Sequence, residues 1–244
     1  MRKLLVDAAH TLVPPKGDRH GPLPPLLLTL TVVTGLVDAV SYLGLGHVFV
    51  ANMTGNVAFL GFALAGAEGF SAPASLTAMA AFLVGAVTGG RFATRSTAHR
   101  GRLLAAGATL QAVLVAAALV TAVVARDKVS DPVQYVLIVT LGVAMGLQTA
   151  VARRLGVPDL TTTVLTQTLT GLAADSTTAG GTTPPRPGRR LLSVLAMFLG
   201  ALAGALLLQV GRLTLVLAVT LALLLATALS VGRLSTTDAS WIRP

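Results

Sequence analysis

The sequence predicts an all-α polytopic membrane protein, with six transmembrane helices and two re-entrant or broken helical segments in two inverted repeats. Three observations carry this expectation. The 244-residue chain is 54% hydrophobic and only 11% charged, whereas a soluble domain carries about 25% charged residues. Several apolar runs reach the roughly 20 residues that a bilayer core demands. Short strings of residues also recur between the two halves at a nearly constant spacing. The mean hydropathy of +0.80 agrees.

Residues 1–25 read as a basic cytoplasmic tail containing Arg2, Lys3, Lys16 and Arg19. Pro14, Pro15, Pro22, Pro24 and Pro25 predict an extended lead-in rather than a helix, because proline lacks an amide proton and clashes inside a helix. No small-residue cleavage pattern follows the first apolar run, so that run is expected to be a retained span and not a signal peptide. Apolar runs cover 26–46, 49–67, 74–90, 103–125, 133–152, 191–209 and 213–231. An eighth segment, 160–175, is Thr-rich, helix-compatible and weakly hydrophobic. The Gly/Thr/Pro/Arg stretch at 178–190 reads as a loop. These elements form a single membrane domain at 26–232, followed by a cytoplasmic tail at 233–244.

The recurrences define two repeats, 26–125 and 133–232. Gly35-Leu36 and Ala39-Val40 return as Gly146-Leu147 and Ala150-Val151, a shift of 111 residues. Thr54 corresponds to Thr166, a shift of 112. Ala81, Gly85, Ala86 and Gly89 return as Ala196, Gly200, Ala201 and Gly204, a shift of 115.

Charge placement selects the topology. If 49–67 and 160–175 both cross, giving eight spans, 11 of the 18 Lys and Arg residues fall on the side of the N-terminus. If both enter and return on one side, leaving six spans, 15 of 18 do, and only Arg126, Lys128 and Arg212 lie opposite. Lys and Arg gather in cytoplasmic loops, so six spans with both termini cytoplasmic in a bacterial inner membrane is the favoured reading. Three spans per half invert the second half relative to the first, a recurring build of secondary transporters. Segment 49–67 is long enough to cross, which keeps the eight-span alternative open.

Several function classes are excluded. The net charge of +9 does not mark a nucleic-acid binder, because the basic residues sit between apolar runs and no nucleic-acid module is present. The absence of cysteine removes disulfides, thiolate chemistry and Cys-based metal sites. Nucleophile-elbow, zinc-protease and phosphate-loop patterns are missing. No histidines pair at metal-ligand spacing. No catalytic residue, cofactor or metal is therefore expected, and the chain is not expected to be an enzyme.

Gly35-Leu36-Val37-Asp38-Ala39, followed by Phe49-Val50-Ala51-Asn52-Met53-Thr54-Gly55-Asn56, resembles the signature of the YoaK-like family. These are bacterial multi-spanning membrane proteins with a domain of unknown function. The resemblance covers roughly 26–232, and the Asn-Met-Thr-Gly-Asn string is its specific part. Thr161–Thr168 resembles the family's second Thr-rich signature, with Gln167 where glycine is expected. The family implies a multi-spanning membrane protein and no particular activity.

The candidate binding residues are Asp38, Asn52, Thr54, Gly55 and Asn56 in the first half, and Thr163, Thr166 and Thr168 in the second. An ionised Asp38 inside an apolar run costs roughly 2.5–3.5 kcal/mol on insertion scales, so it must face protein, water or an ion. Two readings stand for it: a proton or cation coupling site, or an acceptor for nearby Asn, Thr or backbone groups. Asn52 or Thr54 is expected to cap one broken helix, and Asp159 or Thr161 the other. Gly55 permits close approach of a backbone or substrate. Two helix starts converging at mid-membrane would favour an anionic group. The function expected is secondary transport or permeation of a small polar or anionic solute, and the alternative is a non-transporting scaffold or sensor. Gln148 and Gln167 are candidate cavity residues, while Gln111, Gln134 and Gln209 are left without a role. The patterns Gly85-xxx-Gly89 and Gly200-xxx-Gly204 allow tight helix packing, within one copy or between copies. The partners expected are thus the lipid bilayer, a small solute and, at most, a second copy of the chain.

Overall fold

In a computed structural model of the chain, the described residues are 2–15, 17–95, 99–160, 165–174, 186–234 and 241. Among them the structure is all-helical: α1 (Arg2–Leu12), α2 (Leu23–Gly44), α3 (Met53–Leu64), α4 (Ala72–Arg95), α5 (Arg100–Val124), α6 (Asp131–Leu155), α7 (Leu165–Ala174), α8 (Pro187–Gln209) and α9 (Leu213–Leu234). Six of these are long and apolar enough to cross a membrane: α2, α4, α5, α6, α8 and α9. At 22–25 residues each and about 1.5 Å per residue, they exceed the roughly 30 Å hydrocarbon core. The 12 residues of α3 span about 18 Å and the 10 of α7 about 15 Å, too short to cross. Large apolar side chains such as Leu83, Val87, Phe198 and Leu206 point outward and are more than half exposed. An apolar surface of that extent belongs in lipid.

The N-terminal lead-in departs from expectation. Arg2–Leu12 is helical, because every proline of the tail lies beyond Leu12. Pro14 and Pro15 end the helix instead of preventing it. Pro24 and Pro25 occupy the first turn of α2, where the missing amide proton would have had no partner anyway. α1 packs on α8, and Asp7 Oδ2 accepts the backbone N–H of Arg189 at 3.1 Å. The carboxylate of the tail thereby caps the first turn of α8, where the helix dipole favours negative charge.

The bundle is built from two cross-half pairs, α2 on α8 and α4 on α6, with α5 packed on α9. Both pairs close on glycines, and their contacts correspond atom for atom. A Cβ on Gly35 would meet Met197 O and Ala201 N, while one on Gly146 would meet Phe82 O and Ala86 N. Met197 and Ala201 are Phe82 and Ala86 shifted by 115, the spacing found in the sequence. Gly200 lies against the backbone of Val32 and Gly85 against that of Val143, 111 residues on. Gly204 touches Leu36 and Ala39, and Gly89 touches Leu147 and Ala150, again 111 residues on. The small-residue patterns therefore pack inside one chain. Exchanging the two halves maps the α2–α8 contact onto the α6–α4 contact.

Candidate functional site

The first half of the site is built where α2 ends and the chain turns back. Gly46 and His47 both adopt positive φ, at 82° and 55°, which reverses the chain after α2. The returning segment lays Ala51 and Asn52 against Asp38. Asp38 is 3% exposed. Its Oδ1 accepts the Ala51 N–H at 3.0 Å, and its Oδ2 accepts the Asn52 side-chain amide at 2.5 Å. Asn56 is fully buried and grips the same segment. Its Oδ1 accepts the Phe49 N–H at 2.8 Å, and its Nδ2 donates to the Phe49 carbonyl at 2.5 Å. A buried backbone outside regular structure needs such partners, and here two side chains supply them.

Three expectations are corrected at this point. Asn52 stands at the N-cap position of α3 without a side-chain capping bond, because its amide is held by Asp38. Thr54 is exposed and does not cap either. Gly55 permits a close approach, but the group that approaches is the Phe49 ring, 2.6 Å from where a Cβ would stand. That ring stacks on Tyr42 and Phe59, and Phe59 stacks on Phe70, forming an aromatic cover over the polar knot.

The two short segments are tied in the same way. His47, before α3, approaches the Gly69 carbonyl, after α3, with Nδ1 at 3.2 Å. Asp159, before α7, pairs with Arg190, after α7, at 2.9 Å. Residue 159 is 47 plus 112, the shift found in the sequence, and Asp159 also has positive φ, at 64°. Each short segment therefore begins and ends at one end of the bundle. Asp159 Oδ1 is engaged by Arg190, and residues 161–164, where its capping bond was expected, lie outside the described residues. α3 packs mainly on α4, and α7 on α8, so among the described residues the two short helices are not direct packing partners. Thr168 is buried and Thr166 exposed. Thr161 and Thr163 lie outside the described residues.

A second polar centre was missed by the sequence reading. Gln111, left unassigned, lies in the middle of α5, 1% exposed. Its Nε2 donates to Gln148 Oε1 at 2.6 Å. Gln148 Nε2 in turn donates to Thr34 Oγ1 at 2.8 Å and to the Leu30 carbonyl at 3.2 Å. Three spans, α2, α5 and α6, are thereby bonded at their centre. The available signal was that a glutamine at mid-span must face protein. Replacing Gln148 with leucine is expected to destabilise the fold by about 1–2 kcal/mol, since it strands the Gln111 amide and removes bonds worth up to about 1.7 kcal/mol in membranes. Changing both glutamines to leucine should cost less than the sum of the single changes. SDS-titrated unfolding in mixed micelles reads this, and strict additivity would show that the bond contributes nothing.

The shift of 111 that relates α2 to α6 places Thr149 opposite Asp38. Its Oγ1 is buried and has no hydrogen-bond partner among the described residues. Thr149 forms part of the wall of a cavity of about 580 Å³ between α4 and α6, with Phe82, Ala86, Thr94, Ala150 and Arg153. The first half thus carries a filled polar knot at the position where the second half borders open space.

Residues 26–230 match the family model described as "Protein of unknown function (DUF1275)". The chain is also 36% identical over 152 residues to the UPF0700 transmembrane protein YoaK of Bacillus subtilis (strain 168). That alignment covers 62% of this chain and 65% of the relative, just under two thirds of the relative's length. No solved structure matches.

Proposed function

The chain belongs to the DUF1275 family of YoaK-like membrane proteins, and from that premise we propose that it is a secondary transporter or permease for a small polar or anionic solute. The observation that carries this reading is the cavity between α4 and α6. It has a volume of about 580 Å³, is bordered by the two threonines Thr94 and Thr149, and includes Arg153 and Arg154 in its wall. That volume falls within the roughly 300–1,000 Å³ of small-molecule sites, and arginines suit an anion.

The architecture supports the same reading. Short helices that enter and leave at one end, in two halves related by exchange, are the build of many secondary transporters. Three crossings per half make the halves inverted, and both termini are then cytoplasmic in a bacterial inner membrane, because 15 of 18 basic residues lie inside. The cavity opens to the cytoplasm in this orientation. In this reading Asp38, Asn52, Thr54, Gly55 and Asn56 of the first half, and Thr163, Thr166 and Thr168 of the second, are the substrate-binding residues, with Asp38 the coupling residue. For Asp38 to couple an ion, its bonds to Ala51 and Asn52 must open during the cycle. One observation favours the alternative of a scaffold or sensor: Asp38, Asn52 and Asn56 are all bonded to their own chain.

Cysteine accessibility tests the proposal without background, since the chain has no cysteine. Glu68→Cys should react with a membrane-impermeant thiol reagent applied to intact cells, and Pro158→Cys only in inside-out vesicles. Ala150→Cys, in the cavity wall, should react from the cytoplasmic side alone. An unreactive Ala150→Cys would mean a dry interior and favour the scaffold. A protected Glu68→Cys would remove the inverted arrangement.

A further inference from the structure

A second cavity lies where α5 begins, α6 ends and the loop before α2 passes. It encloses about 310 Å³, and its polar side chains are Arg19, His20, Arg100 and Arg154, with no carboxylate among the described residues of its wall. We infer that this cavity binds a phosphate-class anion, either a free phosphate group or the phosphate of an anionic lipid headgroup. The site is separate from the α4–α6 cavity, although Arg154 borders both, and it does not require the chain to transport anything.

The inference stands first on geometry. Arg100 is fixed in place by its own backbone neighbours: Nη2 donates to the Leu155 carbonyl at 2.5 Å, and Nη1 to the Arg19 carbonyl at 3.5 Å. Nη2 also lies 3.3 Å from His20 Nδ1. A guanidinium only donates, so Nδ1 is the acceptor and the ring proton of a neutral His20 sits on Nε2. Burial and the Arg100 charge, followed by those of Arg186 and Arg189, push the His20 pKa below its ordinary value, while Asp18 acts the other way. Asp18 is held by the His20 backbone N–H at 2.7 Å. The cavity is therefore lined by three guanidinium groups and one neutral imidazole.

A second observation points the same way. Arg189 is 5% exposed, and its Nε and Nη1 have no hydrogen-bond partner among the described residues. It belongs to the cluster whose charge acts on His20. Arg189 is not in the cavity wall, but its charge reaches His20 and adds to the positive potential that favours an anion there. Arginine forks match the oxygens of phosphate two at a time, and the cavity has room for a phosphate together with part of an ester.

The test uses the full chain purified in detergent at physiological salt, which screens diffuse attraction. One arm titrates inorganic phosphate and glycerol 3-phosphate by calorimetry. The other reads retention of phosphatidylglycerol against phosphatidylcholine by native mass spectrometry. Binding in the first arm identifies a free anion, and selective retention in the second a lipid. Arg154→Ala and Arg19→Ala should each weaken whichever binding is seen by about tenfold, as expected for one charged hydrogen bond. Arg91→Ala, an exposed arginine outside the cavity, should leave it unchanged. If Arg154→Ala does not fold, the Arg19→Ala variant in the loop carries the comparison. No binding in either arm overturns the inference, as does an equal loss in Arg91→Ala.

Discussion

Replacing Gly146 with leucine is expected to abolish the folded protein, and the same change at Gly85 or Gly200 should do so too. A Cβ at Gly146 would collide with the Phe82 carbonyl and the Ala86 amide, at Gly85 with the Val143 carbonyl, and at Gly200 with the Val32 carbonyl. These are backbone atoms inside helices, which cannot turn away as a side chain can. The helix pair must separate, and every small-residue contact along it is then lost. Overpacking by a few methylenes alone costs about 1–3 kcal/mol, and separating a whole helix interface adds to that. Gly61→Ala is the control, because nothing lies within 4 Å of its Cβ. It should raise stability by roughly 0.5–1 kcal/mol through reduced chain entropy. Fluorescence-detected size exclusion after mild heating separates these outcomes. A monodisperse, wild-type-like Gly146→Leu protein would mean that α4 and α6 do not pack as described.

The same glycines show what the sequence carried and what it did not. Length and apolarity located the spans, and small-xxx-small spacing marked surfaces of close approach. Neither named the partner, because a glycine offers the same flat surface to any helix. The recurrence of strings at 111 to 115 residues held that information in hidden form: two packings that exchange when the halves are exchanged need only one design. The ties His47–Gly69 and Asp159–Arg190 were invisible for a different reason. What they share is a positive φ at equivalent positions, and histidine and aspartate do not look alike in a sequence. Gln111 was passed over because its partner lies 37 residues away on another helix. The run 49–67 read as long enough to cross, yet only Met53–Leu64 is helical. Phe49 and Ala51 are held by Asn56 and Asp38, and that holds the start of the segment outside the helix. The charge count anticipated this outcome where hydropathy did not.

Asp38→Ala should produce the largest loss in the polar knot, about 2–4 kcal/mol, since it leaves the buried Ala51 N–H and the half-buried Asn52 amide without an acceptor at about 1–3 kcal/mol apiece. Asp38→Asn should cost less. An asparagine keeps one oxygen for Ala51 and turns its NH₂ toward Asn52, whose own amide can flip to present oxygen instead. Adding Asn52→Ala to Asp38→Ala should cost less than the sum of the single changes, because the second change removes a group that the first had already stranded. This pattern separates a structural Asp38 from a coupling one. A holding role ranks the variants wild type, Asn, Ala in stability and lets any ion dependence of solute movement survive in Asp38→Asn. A coupling role makes Asp38→Asn as inert as Asp38→Ala in proteoliposome flux, however well it folds. Thermal unfolding in detergent combined with flux of a panel of organic anions decides between them. If Asp38→Ala is as stable as wild type, the bonds to Ala51 and Asn52 do not hold the re-entrant segment, and α3 must owe its place to the Asn56–Phe49 bonds, its packing on α4 and the aromatic cover of Phe49, Phe59 and Phe70.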